Sequence, residues 1–232
     1  MLPVRGISYL VGEVSTDDVR RDLEVIARNL HCTTVMLIGD GKRLIDAART
    51  ALGTGLGVYI RPSVPELPQP KLLEHLDAVA AAAEELRLEH PGRVTLLVGS
   101  EFSHTAPGIV PGPRSFLRLK LIVRLRCLHR SRPAGSGFLL DRRLVRHAPR
   151  IRGDHPRDEA VQARYVGELI GRYDAEGVHG CFVFTFAMPD FPHHDDPRLD
   201  LDKAGFGVVA VSADGVGRPK EAFHEVARRY SS

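Results

Sequence analysis

The chain has 232 residues, of which 43% are hydrophobic and 26% charged, a composition typical of a globular protein with a sizeable core. No apolar run approaches the about 20 residues that span a bilayer, and the N-terminus lacks a charged stretch followed by an apolar one. We therefore expect a cytoplasmic protein. Three widely scattered cysteines suggest neither a disulfide framework nor a metal knuckle, and no cofactor is predicted.

Positive charge is concentrated in the middle of the chain. Residues 114–157 contain 13 Lys and Arg against two acids, a net charge of +11. Because the whole chain carries +3, the remainder carries −8. Such asymmetry indicates either a surface for nucleic acid or a segment whose origin differs from the rest.

Strand-like and helix-like patterns alternate through the first hundred residues. The predicted strands are 6–11, 33–39, 57–62 and 94–98, and the predicted helices lie near 16–30, 44–52 and 72–86. Ser15 or Thr16 is the expected N-cap of the first helix. Strands and helices that alternate in this way form right-handed βαβ units, so the pattern predicts one contiguous parallel sheet.

Periodicity is poor from residue 114 to residue 150, although 116–128 could form one basic amphipathic helix. Order returns with a helix that begins near Asp158 and ends near Gly177. An aromatic-rich strand at 180–186 and a short strand at 206–211 follow, and Pro219 suits the first turn of a last helix. Closure of a barrel would place the 180–186 strand beside the first strand.

Glu101 directly follows the fourth predicted strand. A glutamate at the C-terminal end of a parallel barrel strand lies where such enzymes keep catalytic residues. One interpretation makes Glu101 a general acid in a pocket that raises its pKa. The other makes it a strand-end carboxylate paired with Arg5 or Arg61, left over from an ancestral site.

Several runs resemble a family of bacterial proteins with a glycosidase-like (β/α)8 barrel, often labelled abortive infection proteins. The runs are Arg5–Tyr9, Arg21–Leu23, Leu30–Cys32, Val98–Ser103, Pro107–Ile109, Pro111–Gly112, Arg150–Asp154, Asp158–Glu159, Gln162–Tyr165, Phe182–Phe186 and Leu201–Val209. The resemblance implies that Glu101 is the acid/base at the end of strand 4. It also implies a nucleophile at the end of strand 7, typically in a Thr-Glu-Phe-Gly-like run, and this sequence contains no such run.

The chain is too short in the middle for a complete barrel. The about 40 residues between Ser115 and Asp154 cannot supply three units of roughly 30 residues each. We therefore expect an α/β protein with an incomplete TIM-barrel (β/α)8-like fold that lacks about three central βα units. Residues 1–115 would form the first half of the barrel, 116–153 a basic junction left by a deletion, and 154–232 the closing part. The rival interpretation is a basic module inserted in a compact α/β protein.

Four further residues are predicted to line a pocket at the C-terminal ends of the strands: Tyr9, Arg61, Phe186 and Asp190. Simple packing at the rim is the alternative for all four. The absence of Trp argues against a working sugar site, since sugar faces stack on aromatic rings and Tyr9, Tyr59 and Phe186 replace Trp only in part. Glu13 and Asp190 are the substitutes for a missing nucleophile.

The sequence predicts no metal site. Residues 193–196 read His-His-Asp-Asp and offer ligand types suited to zinc. Adjacent residues on one loop rarely bind a single ion well, however. We therefore expect these four to be polar loop residues that are hydrated by solvent.

These observations predict a glycoside-hydrolase-like barrel protein that is non-catalytic or degenerate and retains carbohydrate binding. The alternative is a nucleic-acid-associated phage-defence protein that uses the basic central segment. Salt-dependent retention on DNA separates the two, because only the alternative requires it. The sequence does not determine the oligomeric state.

Residues 130–149 should be the first site of cleavage in a brief trypsin digestion. They contain several Arg residues and too little apolar surface to offset the entropy cost of ordering them. Mass spectrometry of the first fragments checks this expectation. Resistance of that stretch, with cleavage elsewhere, would indicate a folded basic module.

Overall fold

The computed structural model describes residues 1–63, 67–98, 110, 112, 114–115, 117–121, 151 and 155–231. Glu101, the expected deletion junction and the expected trypsin-sensitive stretch at 130–149 lie outside the described residues.

The described chain forms two sheets flanked by helices. The elements are β1 Val4–Leu10, α1 Thr16–Arg28, β2 Thr34–Gly39, α2 Gly41–Gly53, β3 Gly57–Pro62, α3 Gln69–Glu89, β4 Val94–Leu96, α4 Glu159–Ala175, β5 Gly180–Val183, a 3-10 turn Leu201–Ala204, β6 Val209–Val211, β7 Gly217–Pro219 and α5 Glu221–Ser231. The larger sheet has the order β4-β3-β2-β1-β5, and all its strands are parallel. The predicted contiguous sheet, with the 180–186 strand beside β1, is confirmed.

Local sequence signals explain where the helices begin and end. The Ser15 side chain accepts a hydrogen bond from the Asp18 N–H at 3.1 Å and caps α1. Asp158 caps α4 in the same way, through the Val161 N–H at 2.9 Å. Helix α3 ends at Glu89. The next residue, His90, precedes Pro91, and a proline disfavours helical geometry in the residue before it.

The main core lies between the five-stranded sheet and its helices. Side chains that alternate along the central strands are fully or almost fully buried there: Ile7, Val35, Leu37, Val58 and Ile60. Tyr230 of α5 joins this core and donates a hydrogen bond from its hydroxyl to the Gly6 carbonyl at 3.0 Å. The last helix is thereby fixed to the first strand.

The opposite face of the sheet is concave. The rings of Phe182 in β5 and Tyr59 in β3 lie with their centroids 4.9 Å apart. Three strand spacings separate these strands, roughly 14 Å along a flat sheet whose side chains stand perpendicular to it. The two rings meet because the sheet curves around them, as the wall of a barrel does. The absence of three central βα units concerns residues outside the described part and stays a prediction.

A small antiparallel hairpin of β6 and β7 was not predicted. Pro219, expected in the first turn of the last helix, instead pairs with Val209 in β7, and α5 begins at Glu221. The segment Gly217–Pro219 has weak strand propensity. An edge position accepts the proline because its missing N–H leaves no hydrogen bond unmade within the sheet.

Replacement of Gly6 by Ala should destabilise the fold by about 1–3 kcal/mol. A Cβ at Gly6 would lie 2.3 Å from the Phe182 ring, so the ring that spans the concave face would have to move. Urea unfolding measures the free-energy change. The double variant Gly6→Ala, Phe182→Leu should recover part of the loss, because the smaller side chain leaves room for the new methyl group.

Gly12→Ala is the matched control, since a Cβ there meets no atom within 4 Å. Equal stabilities of the two single variants would contradict the close approach of Phe182 to β1.

Candidate functional site

The candidate site lies at the carboxyl ends of the parallel strands, on the concave side of the sheet. None of β1 to β5 contains an Asp or Glu. The register pairs Leu10 with Ile38 and Ile38 with Arg61 in the last layer before the loops. The strands therefore supply apolar side chains and the Arg61 guanidinium to this end of the concave face, and no carboxylate.

Tyr9 and Phe186 contact each other, with ring centroids 6.0 Å apart. Both are buried. The Tyr9 hydroxyl donates to Asp22 Oδ2 of α1 at 2.9 Å, which places Tyr9 on the helix-covered face of the sheet. Burial, together with the Asp22 charge, raises the pKa of Tyr9 well above its ordinary value, so the hydroxyl stays a hydrogen-bond donor. This placement accords with packing beneath the rim.

Arg61 and Asp190 are placed differently. Arg61 is half-buried in β3, on the concave face. Asp190 is exposed in the loop after β5 and has no partner among the described residues. Of the other carboxylates that follow strands, Asp40 Oδ1 lies 3.2 Å from His75 Nε2, and Glu13 is exposed.

Three phenylalanines, two exposed and the third, Phe191, half-buried, form a cluster at the carboxyl end of β5. Phe206 lies edge-on to Phe184 at 6.0 Å and to Phe191 at 5.6 Å between ring centroids. Phe184 is 46% exposed and Phe206 40%. We call these three residues the Phe cluster. It is the largest group of aromatic rings in contact with one another within the described part of the chain.

Sequence reasoning selected Phe186 and missed the Phe cluster. Strand β5 ends at Val183, so the alternation that would point residues 184 and 186 to one side ends there too. The Phe184–Thr185 peptide bond is cis. Thr185 then donates its N–H to the Phe206 carbonyl at 2.7 Å and its hydroxyl to the Ser8 carbonyl at 2.7 Å. The high aromatic content of residues 180–186 was the only signal in the sequence that pointed to the Phe cluster.

A group of charged side chains holds the loop that carries Phe191. At its centre, Arg157 lies 2.8 Å from Glu159, 3.3 Å from Asp200 and 2.7 Å from Asp202. Lys220, only 2% exposed, contacts Asp202 at 3.1 Å. We call these residues, with Arg218 bound to Glu159 at 2.6 Å, the ion network. Its three carboxylates and three cations balance, which is the condition for burying charge.

Burial and hydrogen bonds act in opposite directions on the pKa values within the ion network. Burial alone would raise the pKa of Glu159, but hydrogen bonds from Arg218, Arg157 and the Glu221 N–H lower it to about 2. Burial lowers the pKa of Lys220 against the opposing effect of Asp202. The network joins α4, the loop before β6 and the start of α5, so it positions that loop.

The two histidines of the 193–196 run make contacts within this loop. His193 Nδ1 lies 3.0 Å from Asp200 Oδ1, and His194 Nδ1 accepts the Asp196 N–H at 2.9 Å. No group of three or more His, Cys, Asp or Glu that could hold a metal ion occurs among the described residues. In that same part of the chain, no helix is both long enough and apolar enough to cross a membrane.

The comparisons with known proteins give little support for a family. No family model matches the sequence, and no curated protein does. Among solved structures, a match is the complex structure of a GH113 beta-1,4-mannanase, over 100% of both chains, with 12% identity and a TM-score of 0.45. At that identity and score the likeness carries no inference about activity or substrate. The resemblance to abortive infection proteins stays a prediction.

Substitution of Glu159 by Gln should reduce the loss of stability in acid. A carboxyl with a lowered pKa in the folded state contributes stability above its ordinary pKa of 4.5, and this is lost as pH falls toward about 2. The variant should therefore be less stable at pH 7, by about 1–3 kcal/mol, with a shallower decline between pH 4.5 and 2.

Denaturant unfolding at a series of pH values measures this slope. Glu89→Gln is the control, since Glu89 is exposed at the end of α3. An unchanged acid slope in Glu159→Gln would show that the ion network does not hold Glu159 as described.

Proposed function

We propose that the protein is a glycoside-hydrolase-like barrel protein that binds a carbohydrate at the carboxyl ends of its strands and does not hydrolyse it. The observation that carries the proposal is the Phe cluster, which presents exposed aromatic rings beside a concave parallel sheet. Exposed apolar patches on soluble proteins mark binding surfaces. The carboxyl ends of barrel strands are where such folds build their sites.

Aromatic rings suit the ligand class. The faces of sugar rings carry C–H groups that pack against the π face of an aromatic ring, while the hydroxyls at the edges bind polar side chains. Phe184 and Phe206 offer the rings. In this proposal, Arg61 on the concave face and Asp190 beside Phe191 bind the hydroxyls of the sugar. Tyr9 and Phe186 support the rim from the helix-covered side of the sheet.

The described carboxylates argue against hydrolysis. Cleavage of a glycosidic bond normally needs two carboxyl groups flanking that bond. The five strands supply none, Asp22 is bound to Tyr9 against α1, and Asp40 is bound to His75. Within the proposal Glu101 is a vestigial acid/base that lacks a nucleophile. The protein then keeps the residues that position a sugar but lacks the pair of carboxyl groups that would hydrolyse it.

Binding to nucleic acid is the competing outcome. It would rest on the basic residues 114–157, most of which lie outside the described part of the chain. Such binding weakens steeply as salt concentration rises, whereas stacking of a neutral sugar does not.

Wild-type protein and Glu101→Gln should hydrolyse aryl glycosides equally poorly, at the level of the buffer. Release of nitrophenol measures this. Hydrolysis by wild type that Glu101→Gln abolishes would contradict the absence of catalysis, and Asp190 and Glu13 would then be the nucleophiles to replace.

Binding is tested separately, by calorimetry with a panel of oligosaccharides. Phe206→Ala should weaken binding about tenfold, the typical effect of truncating an aromatic residue at the centre of an interface. Tyr165→Ala is the control, because Tyr165 is an aromatic residue on α4 that is even more exposed than Phe206, 62% against 40%. Equal losses in both variants, or salt-sensitive binding of DNA in place of sugar, would contradict the proposed site.

A further inference from the structure

We propose that the carbohydrate is a cationic one, an oligosaccharide of amino sugars whose protonated amine is bound by Asp190 beside the Phe cluster. This inference rests on the proposed function and narrows the class of ligand. It follows from the charges that surround the exposed rings.

The loop that carries Phe191 is acidic. Residues 187–206 contain five Asp against one Arg and one Lys, a net charge of −3 with His neutral. Two of these acids, Asp200 and Asp202, are buried and neutralised in the ion network. A third, Asp196, is paired with Arg198 at 3.1 Å. Asp190 and Asp195 remain exposed, without a partner among the described residues.

Asp190 is next to the Phe cluster along the chain. The Phe191 N–H donates to the Met188 carbonyl at 2.9 Å, which closes a turn around residues 189 and 190. The carboxylate of Asp190 therefore stands on the same turn as the Phe191 ring. In the proposal, this carboxylate is the group that binds a ring substituent of a sugar stacked on the Phe cluster.

The aromatic rings of the Phe cluster and the carboxylate of Asp190 both attract positive charge. The face of an aromatic ring attracts cations through its quadrupole, and an exposed carboxylate forms a charge-assisted hydrogen bond with an ammonium group. Protonated amino sugars combine a stackable ring face with an ammonium group at the ring edge. They match the Phe cluster and Asp190 together.

Anionic sugars fit poorly. The two basic side chains of the loop are already engaged, Arg198 with Asp196 and Lys203 with the Pro197 carbonyl at 3.0 Å. Arg157 is held by three carboxylates. A uronic acid or a sulfated sugar would therefore meet the exposed carboxylates of Asp190 and Asp195 with no cation of the loop left to bind it.

The test is calorimetric titration of the full chain with three hexasaccharides at pH 6: β-1,4-linked glucosamine, its N-acetylated form and a neutral glucan. Wild type should bind the glucosamine hexamer at least tenfold more tightly than the other two. Asp190→Asn should abolish that preference by lowering the affinity for the glucosamine hexamer to the level of the other two. Glu89→Gln, which removes an exposed carboxylate from the end of α3, should keep the preference.

Other results would contradict either the preference for a cationic sugar or the proposed function itself. Equal affinities for all three hexamers, with no effect of Asp190→Asn, would overturn the cationic preference and leave carbohydrate binding intact. Binding of hexalysine as tight as that of the glucosamine hexamer, unaffected by Phe206→Ala, would overturn it as well, because charge alone would be recognised. Absence of binding to any hexamer would instead overturn the proposed function.

Discussion

The contact between Phe182 and Tyr59 is the interaction on which the described architecture depends. These rings belong to strands three positions apart and still meet at 4.9 Å, which requires a curved sheet. The helices α1 to α5 pack on the convex side, and the rings of Tyr59 and Phe182 lie on the concave side. The curvature also requires a glycine at position 6, where the Phe182 ring covers the β1 backbone. A flat parallel sheet would need a layer of elements on each face.

Two further sets of contacts fix the C-terminal part of the chain to this curved sheet. Tyr230 ties α5 to the carbonyl of Gly6, the residue that the Phe182 ring covers. The ion network joins α4, α5 and the loop that follows β5. Because the buried charges balance, the loop is held by strong hydrogen bonds without an uncompensated charge. The exposed Phe cluster rests on this anchored loop, and a rigid platform costs a ligand less ordering entropy than a mobile one.

Most carboxylates near this rim, among the described residues, have identifiable partners. The five strands of the larger sheet carry no acid, and Asp22 of α1 binds Tyr9. The acids of the described loops neutralise the ion network, pair with His75 or Arg198, or face solvent. Binding without cleavage therefore agrees with the chemistry of the described residues. The exposed acids next to aromatic rings give the rim a polarity that favours a cationic ligand.

Periodic patterns in the sequence determined the parallel sheet, its first three helices and the caps at Ser15 and Asp158, because these depend on local spacing and on near neighbours. The sequence alone also showed the acidic loop and the aromatic-rich strand. Only the tertiary structure decided which aromatic rings are exposed. Phe184 and Phe186 are two residues apart, yet one lies in the solvent-facing cluster and the other beneath Tyr9, because β5 ends between residues 183 and 184 and contacts with Ser8 and Phe206 then direct the chain. Arg157 and its partner Asp202 are 45 residues apart along the chain, and Asp202 and Lys220 are 18 apart, and no local pattern relates residues at such distances.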